Sequence, residues 1–178
     1  IKDKKRRTYA AMVTAVDDGV GRILVKLDEL GIDDNTMVFF LSDNGGTRNK
    51  GSDNGELRDF KGSFFEGGIH VPFAVRWPGK VPAGVDYIKP VSSLDILGTF
   101  AALTKAPIAK ERPLDGVNLM PFITGKNKAN PHEVLFWRGF DQGTLATRRG
   151  DSKVINSRID GDHLYNLAED LSEQKNLL

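Results

Sequence analysis

The sequence predicts an α/β domain followed by a small antiparallel β subdomain, on three observations. Apolar residues recur at three- and four-residue steps from Arg6 to Gly31, and a short apolar run, Met37 to Leu41, follows directly. That run ends in the polar, glycine-rich exit Ser42-Asp43-Asn44-Gly45-Gly46. After a polar, glycine- and proline-punctuated stretch from Thr124 to Pro131, short alternating segments separated by turn residues fill the rest of the chain. A boundary near Asn130 divides the chain into residues 1–130, the α/β part, and 131–178, the β subdomain.

The first helix presents Tyr9, Met12, Val13, Val16, Val20, Ile23, Leu24, Leu27 and Leu30 as one stripe, expected to be buried, with Gly31 placed to stop it. Asp17 and Asp18 fall on its flank and read as solvated. Strand Met37–Leu41 completes a helix-strand unit of the kind that builds parallel sheets. Pro72 to Trp77 reads as a second strand, ended by Pro78-Gly79. Ser92 and Asp95 are spaced as a cap with an acidic first turn ahead of Leu97, Phe100, Ala101 and Leu103. A catalytic carboxylate is the other reading of Asp95. Asp115-Gly116 marks a turn before Val117 to Ile123. The last four segments, Val134–Trp137, Thr144–Arg148, Lys153–Asn156 and His163–Leu167, suit hairpins turned at residues such as Gly150-Asp151 and Asp160-Gly161.

Composition removes several classes of function. With 178 residues, 39% of them hydrophobic, a real core is affordable, and 25 basic against 24 acidic residues leave no global field pointing to nucleic acid or an anionic membrane. The basic start, Lys2 to Arg7, is interrupted by Asp3, has no interleaved aromatics, and reads as a solvated helix start or tail. The absence of cysteine removes disulfides and thiolate metal sites, and no apolar run approaches membrane-spanning length. No Asn stands in a glycosylation sequon. Arg148 and Arg149, adjacent on a strand, read as solvated positions, and His132 and His163 as surface or interface residues without metal-ligand spacing.

The chemistry concentrates at Asp43 and Asn44, delivered to the carboxyl end of a strand, where ligands bind in open α/β sheets. A carboxylate beside a carboxamide offers oxygen atoms, which suit Ca²⁺ or Mg²⁺ better than zinc. Taken alone, the triplet Asp43-Asn44-Gly45 is also a common Asx-type turn. Its company is more specific: Lys61-Gly62, then the turn Glu66-Gly67-Gly68, then Val71-Pro72 and Trp77-Pro78-Gly79.

This order, DNGG, a loop, KGxxxEGGxxVPxxxxWPG, resembles the second half of the sulfatase family, whose fold is that of the alkaline-phosphatase superfamily. The closing stretches LATRRGDSKVI and HLYNLAEDLSEQKNLL resemble the family's C-terminal subdomain, so the likeness runs from the first helix to the last residue. The resemblance implies hydrolysis of sulfate esters by a formylglycine nucleophile made from the Cys or Ser of a C/S-x-P-x-R motif, with a divalent cation and basic residues holding the sulfate oxygens. It implies that Asp43 and Asn44 are metal ligands and that Lys61 contacts the sulfate as a catalytic and substrate-binding residue. A positioned ammonium suits that role because charge must be stabilised on sulfate and leaving-group oxygens. At His70 the family more often has Arg, which leaves an ion pair there absent or pH-dependent.

No serine here stands in S-x-P-x-R and there is no cysteine, so the nucleophile is missing from these residues. The expectation is the C-terminal half of a sulfatase, inactive alone, whose partners are the missing N-terminal half and a sulfated small molecule or carbohydrate, with Ca²⁺ the expected cofactor and Mg²⁺ the other candidate. A periplasmic or extracellular setting is the first expectation. Two other readings stand beside it. A phosphodiesterase of the same superfamily would place Asp-His where Asp43-Asn44 stands, and a non-catalytic module would keep an anion site at Lys61 with Arg48, Lys50 and Arg58.

Overall fold

The computed structural model describes residues 1–139, 143–159 and 161–178. Helix α1 (Lys4–Glu29) starts where the Asp3 carboxylate accepts the Arg6 amide at 2.6 Å. It stops at Gly31, whose φ of 62° lets its amide reach Asp28 O while Ile32 N reaches Leu27 O. The expected apolar stripe is present but not buried. Val20, Leu24 and Leu27 are half-covered, while Met12, Val13, Val16 and Ile23 are exposed, Val16 at 53% and Ile23 at 58%. Periodicity fixes which residues share a face, but burial needs a second element on that face, and the described residues leave it uncovered.

A single 3₁₀ turn, Asp33–Asn35, leads into β1 (Val38–Leu41), which pairs with β2 (Phe73–Arg76) in a two-stranded sheet. Between them lies a four-residue helix, α2 (Glu66–Ile69), where the sequence indicated only a turn. Helices α3 (Asp95–Thr104) and α4 (Met120–Ile123) follow, and then a four-stranded antiparallel sheet in the order β3 (Leu135–Arg138), β4 (Leu145–Arg149), β5 (Ser152–Ser157), β6 (Gly161–Asn166). Its register puts Leu135 opposite Arg148, Arg148 opposite Lys153, and Lys153 opposite Tyr165. The turn expected at Asp160-Gly161 falls partly on Asp160, outside the described residues.

By their contacts the residues form two units, Ile1–Ile32 with Phe40–Ala74 and Val134–Leu178, and Asp33–Phe39 with Val75–Glu133. The four C-terminal strands thus group with the loop after β1. In the first unit β5 alternates strictly, burying Lys153, Ile155 and Ser157 and exposing Ser152, Val154 and Asn156. The buried face packs Ile155, Ala146, Tyr165 and Leu167 with Phe65, and Phe64 and Trp137 cover them.

In the second unit Arg76 pairs with Asp33 at 3.1 Å, the Trp77 indole donates to Asp34 O at 2.8 Å, and Phe39 meets Phe100 edge to face. The helix cap expected at Ser92 is not formed, because the N-cap of α3 is Leu94 and has no side-chain cap; Asp95 does open the helix as its acidic first residue, and its fully buried carboxylate accepts the Ser92 amide at 2.7 Å. Its other oxygen accepts the Val117 amide at 2.8 Å, and the His132 Nε2 lies 2.8 and 2.9 Å from the two carboxylate oxygens. His132 is therefore an interior residue, 10% exposed, rather than a surface one. A carboxylate removed from water needs such donors, which is what draws the imidazole inward.

Candidate functional site

The loop after β1 is built on glycine contacts that bring the two sequence motifs together. Gly45 N donates to Gly68 O at 2.9 Å, and Lys61 N donates to Gly46 O at 2.9 Å. A Cβ on Gly45 would fall 1.8 Å from the Gly67 carbonyl oxygen, so no side chain fits where the strand exit crosses the Glu66-Gly67-Gly68 segment. One residue missed by the sequence reading, Asn54, ties this frame together. Its Oδ1 accepts the Gly46 amide at 3.0 Å, and its Nδ2 donates to Gly67 O at 2.9 Å and Asp59 O at 2.8 Å. An Asn in a polar loop carries no sequence signal of that kind.

The frame carries all three predicted site residues. Asp43 is exposed and Asn44 half-buried at the end of β1, and Lys61 is exposed with its backbone bonded two residues beyond Asn44. The donor set at Asp43 and Asn44 is oxygen only, which fits a hard divalent cation as two members of a larger shell. Among the described residues no group of three or more His, Cys, Asp or Glu is placed to hold a metal ion.

Directly behind this frame lies a buried charge cluster. The Glu66 carboxylate bonds Lys153 Nζ at 2.7 Å and His70 Nδ1 at 2.9 Å, and Arg148 approaches it at 3.6 Å. Lys153 also pairs with Glu173 at 2.8 Å, and the second Glu173 oxygen accepts the Glu66 amide at 2.6 Å. Lys153 and Glu173 are fully buried. Burial by itself would push the Glu66 carboxyl up, but the bond from His70 and the charge of Lys153 outweigh it and hold the group at about 2. Glu173 moves the other way, raised by burial that its partners only partly offset. His70 thus keeps the Glu66 carboxylate as a hydrogen-bond partner.

Two sequence readings are corrected here. Arg148 is not a solvated strand residue; its side chain is 17% exposed and faces Glu66, because β4 turns this position toward the carboxylate. His163 is half-buried, stacked on Tyr165 and edge-on to Phe65. Lys153 was also legible in retrospect, since it shares the period-2 face of Ile155. Two of the three basic loop residues, Arg48 and Arg58, are engaged with protein groups rather than free for an anion. Arg48 pairs with Asp59. Arg58 lies over the Phe65 ring at 3.9 Å and donates to Tyr165 Oη at 2.9 Å and Glu173 O at 2.7 Å.

The fold is that of the alkaline-phosphatase-like hydrolases, and the sulfatase family profile matches residues 2–106. The chain belongs to the sulfatase family. Steryl-sulfatase of Mus musculus is 40% identical over 72% of this chain and 22% of its own length. The uncharacterized sulfatase YdeN of Escherichia coli is 34% identical over 93% of this chain and 30% of its own. The crystal structure of Ps i-CgsB in complex with k-i-k-neocarrahexaose superposes with a TM-score of 0.90 at 39% identity, covering 99% of this chain and 40% of that one. The chain thus spans less than a third of the length of these two curated relatives. Among the described residues no helix is long and apolar enough to cross a membrane.

Proposed function

We propose that this chain forms the C-terminal part of a sulfatase and contributes one side of its active site. Asp43 and Asn44 hold the divalent cation, Ca²⁺ or else Mg²⁺, and Lys61 holds a sulfate oxygen. The bound cation would supply positive charge against the sulfate oxygens. The formylglycine nucleophile and the remaining ligands would come from an N-terminal part that this chain does not contain. The observation that carries this reading is the hydrogen-bonded frame that joins the Asp43-Asn44 exit, Gly68 and Lys61.

Within the frame each residue has a separate task. The Lys61 ammonium stabilises charge that grows on the sulfate during S–O cleavage, and its backbone bond to Gly46 limits where that charge can sit. The Asp43 carboxylate and Asn44 carboxamide ligate a metal through oxygen, with no imidazole nitrogen beside them, which favours a sulfatase cation over the nitrogen-ligated metal of the related phosphodiesterases. The engagement of Arg48 and Arg58 with protein groups weakens the non-catalytic anion-binding reading. The neocarrahexaose bound by Ps i-CgsB supports a carbohydrate as the body of the sulfate ester. A periplasmic or extracellular setting is part of the same proposal.

The test is sulfate release by the full-length protein from a sulfated oligosaccharide and from a chromogenic sulfate ester, with a phosphate diester as comparison. Sulfate release that is lost in Asp43→Ala and reduced by chelator supports the reading. Preferential cleavage of the phosphate diester, or full activity in Asp43→Ala, would sink it.

A further inference from the structure

Two fully buried residues of the C-terminal segment, Lys153 and Glu173, are not needed to explain the reacting groups, yet both lead to them. Glu173 bridges with its two carboxylate oxygens. One pairs with Lys153 at 2.8 Å and the other accepts the backbone amide of Glu66 at 2.6 Å, at the first residue of α2. Lys153 closes the ring by binding the Glu66 side chain at 2.7 Å. The next two residues, Gly67 and Gly68, are the ones that accept from Asn54 and Gly45. A second line runs parallel to the first. Arg58 donates to Tyr165 Oη and to the Glu173 carbonyl, while its own carbonyl accepts the Gly67 amide at 2.8 Å.

We propose that Glu173, with Lys153, is a positioning residue for the sulfate site: it fixes α2 and the Gly67-Gly68 segment, and through them the Asp43-Asn44 exit and Lys61. The inference rests on the reading of Asp43, Asn44 and Lys61 as the reacting site. A four-residue helix containing two glycines has almost no intrinsic tendency to form, so its geometry must be imposed from outside. An apolar contact would not specify the height of α2 above the sheet, because it has no preferred direction. A carboxylate that must satisfy an ammonium and a backbone amide at once does specify it. Sub-ångström placement is what a bound sulfate and its cation require of Lys61 and Asp43.

The experiment uses the full-length protein with Glu173→Gln, which keeps size and one acceptor but cannot satisfy both partners with oxygen. Tyr165→Phe is the milder companion, removing only the hydroxyl that receives Arg58. Amide hydrogen exchange is followed at Gly45, Gly46, Lys61, Gly67 and Gly68, with the α3 amides as an internal control, alongside turnover of a sulfate ester. The expected result for Glu173→Gln is exchange at the frame amides faster by about tenfold or more with α3 unchanged, and turnover lower by about tenfold or more. Tyr165→Phe should show the same pattern, smaller. Frame amides that do not change in either variant, or that accelerate together with α3, overturn the proposal. So does a loosened frame with undiminished turnover. A wild-type protein that hydrolyses no sulfate ester would instead overturn the sulfatase reading, and the exchange pattern would then decide by itself whether Glu173 sets the frame.

Discussion

Glu66 and Lys153 form an ion pair at 2.7 Å from positions 87 residues apart, and neither side chain is more than 2% exposed. The pair joins the segment that accepts the Gly45 amide to β5, an inner strand of the C-terminal sheet.

Removing the cation alone should therefore be costly. Lys153→Met leaves Glu66 and Glu173 buried together without their shared ammonium, and loss of one partner of a buried pair typically costs about 3–5 kcal/mol. Denaturant titration of the full-length protein should show a loss of this order. A loss below about 0.5 kcal/mol, the range of ordinary surface changes, would mean that the cluster is solvated in solution.

Acid should act through Glu66. Its carboxyl lies at about 2 in the folded chain against 4.5 in the absence of structure, so its contribution is complete above 4.5 and disappears as pH falls toward 2. The shift corresponds to at most about 3 kcal/mol. Glu173, raised by burial, has the opposite sign: its ionisation in the folded state weakens the protein as pH rises past the ordinary carboxylate range. Stability measured from pH 6 down to pH 2 should fall more steeply in wild type than in Glu66→Gln. Parallel curves would contradict the assignment of the ionised form to Glu66.

Gly45→Ala should disrupt the site without touching any reacting group. Its methyl would meet Gly67 O at 1.8 Å, a rigid Cβ against backbone, so the strand exit must move away from the Gly67-Gly68 segment. The expected outcome is loss of both cation binding and turnover in a protein that still folds its C-terminal sheet. Unchanged turnover would mean that the Gly45–Gly67 approach is not needed.

The chain alone should bind Ca²⁺ weakly and turn over no sulfate ester, since Asp43 and Asn44 are two ligands where Ca²⁺ takes six to eight. Calorimetry on the 178-residue chain checks this. Tight stoichiometric binding would point to a shell that uses other residues of this chain.

Most of the elements were legible in the sequence because their signals are local. Apolar runs, alternation and turn residues marked β1 to β6 within a residue or two, and Gly31, a residue that accepts the φ of 62° found there, marked the end of α1. What was not legible depends on partners distant in sequence. The apolar stripe of α1 shows which residues share a face but not whether anything covers it. Helix α2 was read as a turn because its helical form is imposed by Glu173 and Arg58 rather than by its own residues. Arg148 and His132 looked like solvent-facing residues until the buried carboxylates Glu66 and Asp95 supplied a reason to turn inward. Asp43, Asn44 and Lys61 stood out through the resemblance of their motif order to the sulfatase family, whereas the bonds made by Asn54 exist only in three dimensions.

Lys61 gives the most direct test, because it is exposed and separable from folding. The measurement is turnover of a sulfate ester and thermal melting on the same preparations of full-length wild type, Lys61→Ala and Lys61→Arg. Lys61→Ala should lower turnover by about a hundred- to a thousand-fold, the effect of removing one preorganised donor. Its stability should change by no more than about 0.5 kcal/mol. Lys61→Arg, which keeps the charge but changes its reach, should retain partial activity. Intact turnover in Lys61→Ala, or a loss of activity only in proportion to a loss of stability, would contradict the assignment of Lys61 to the sulfate.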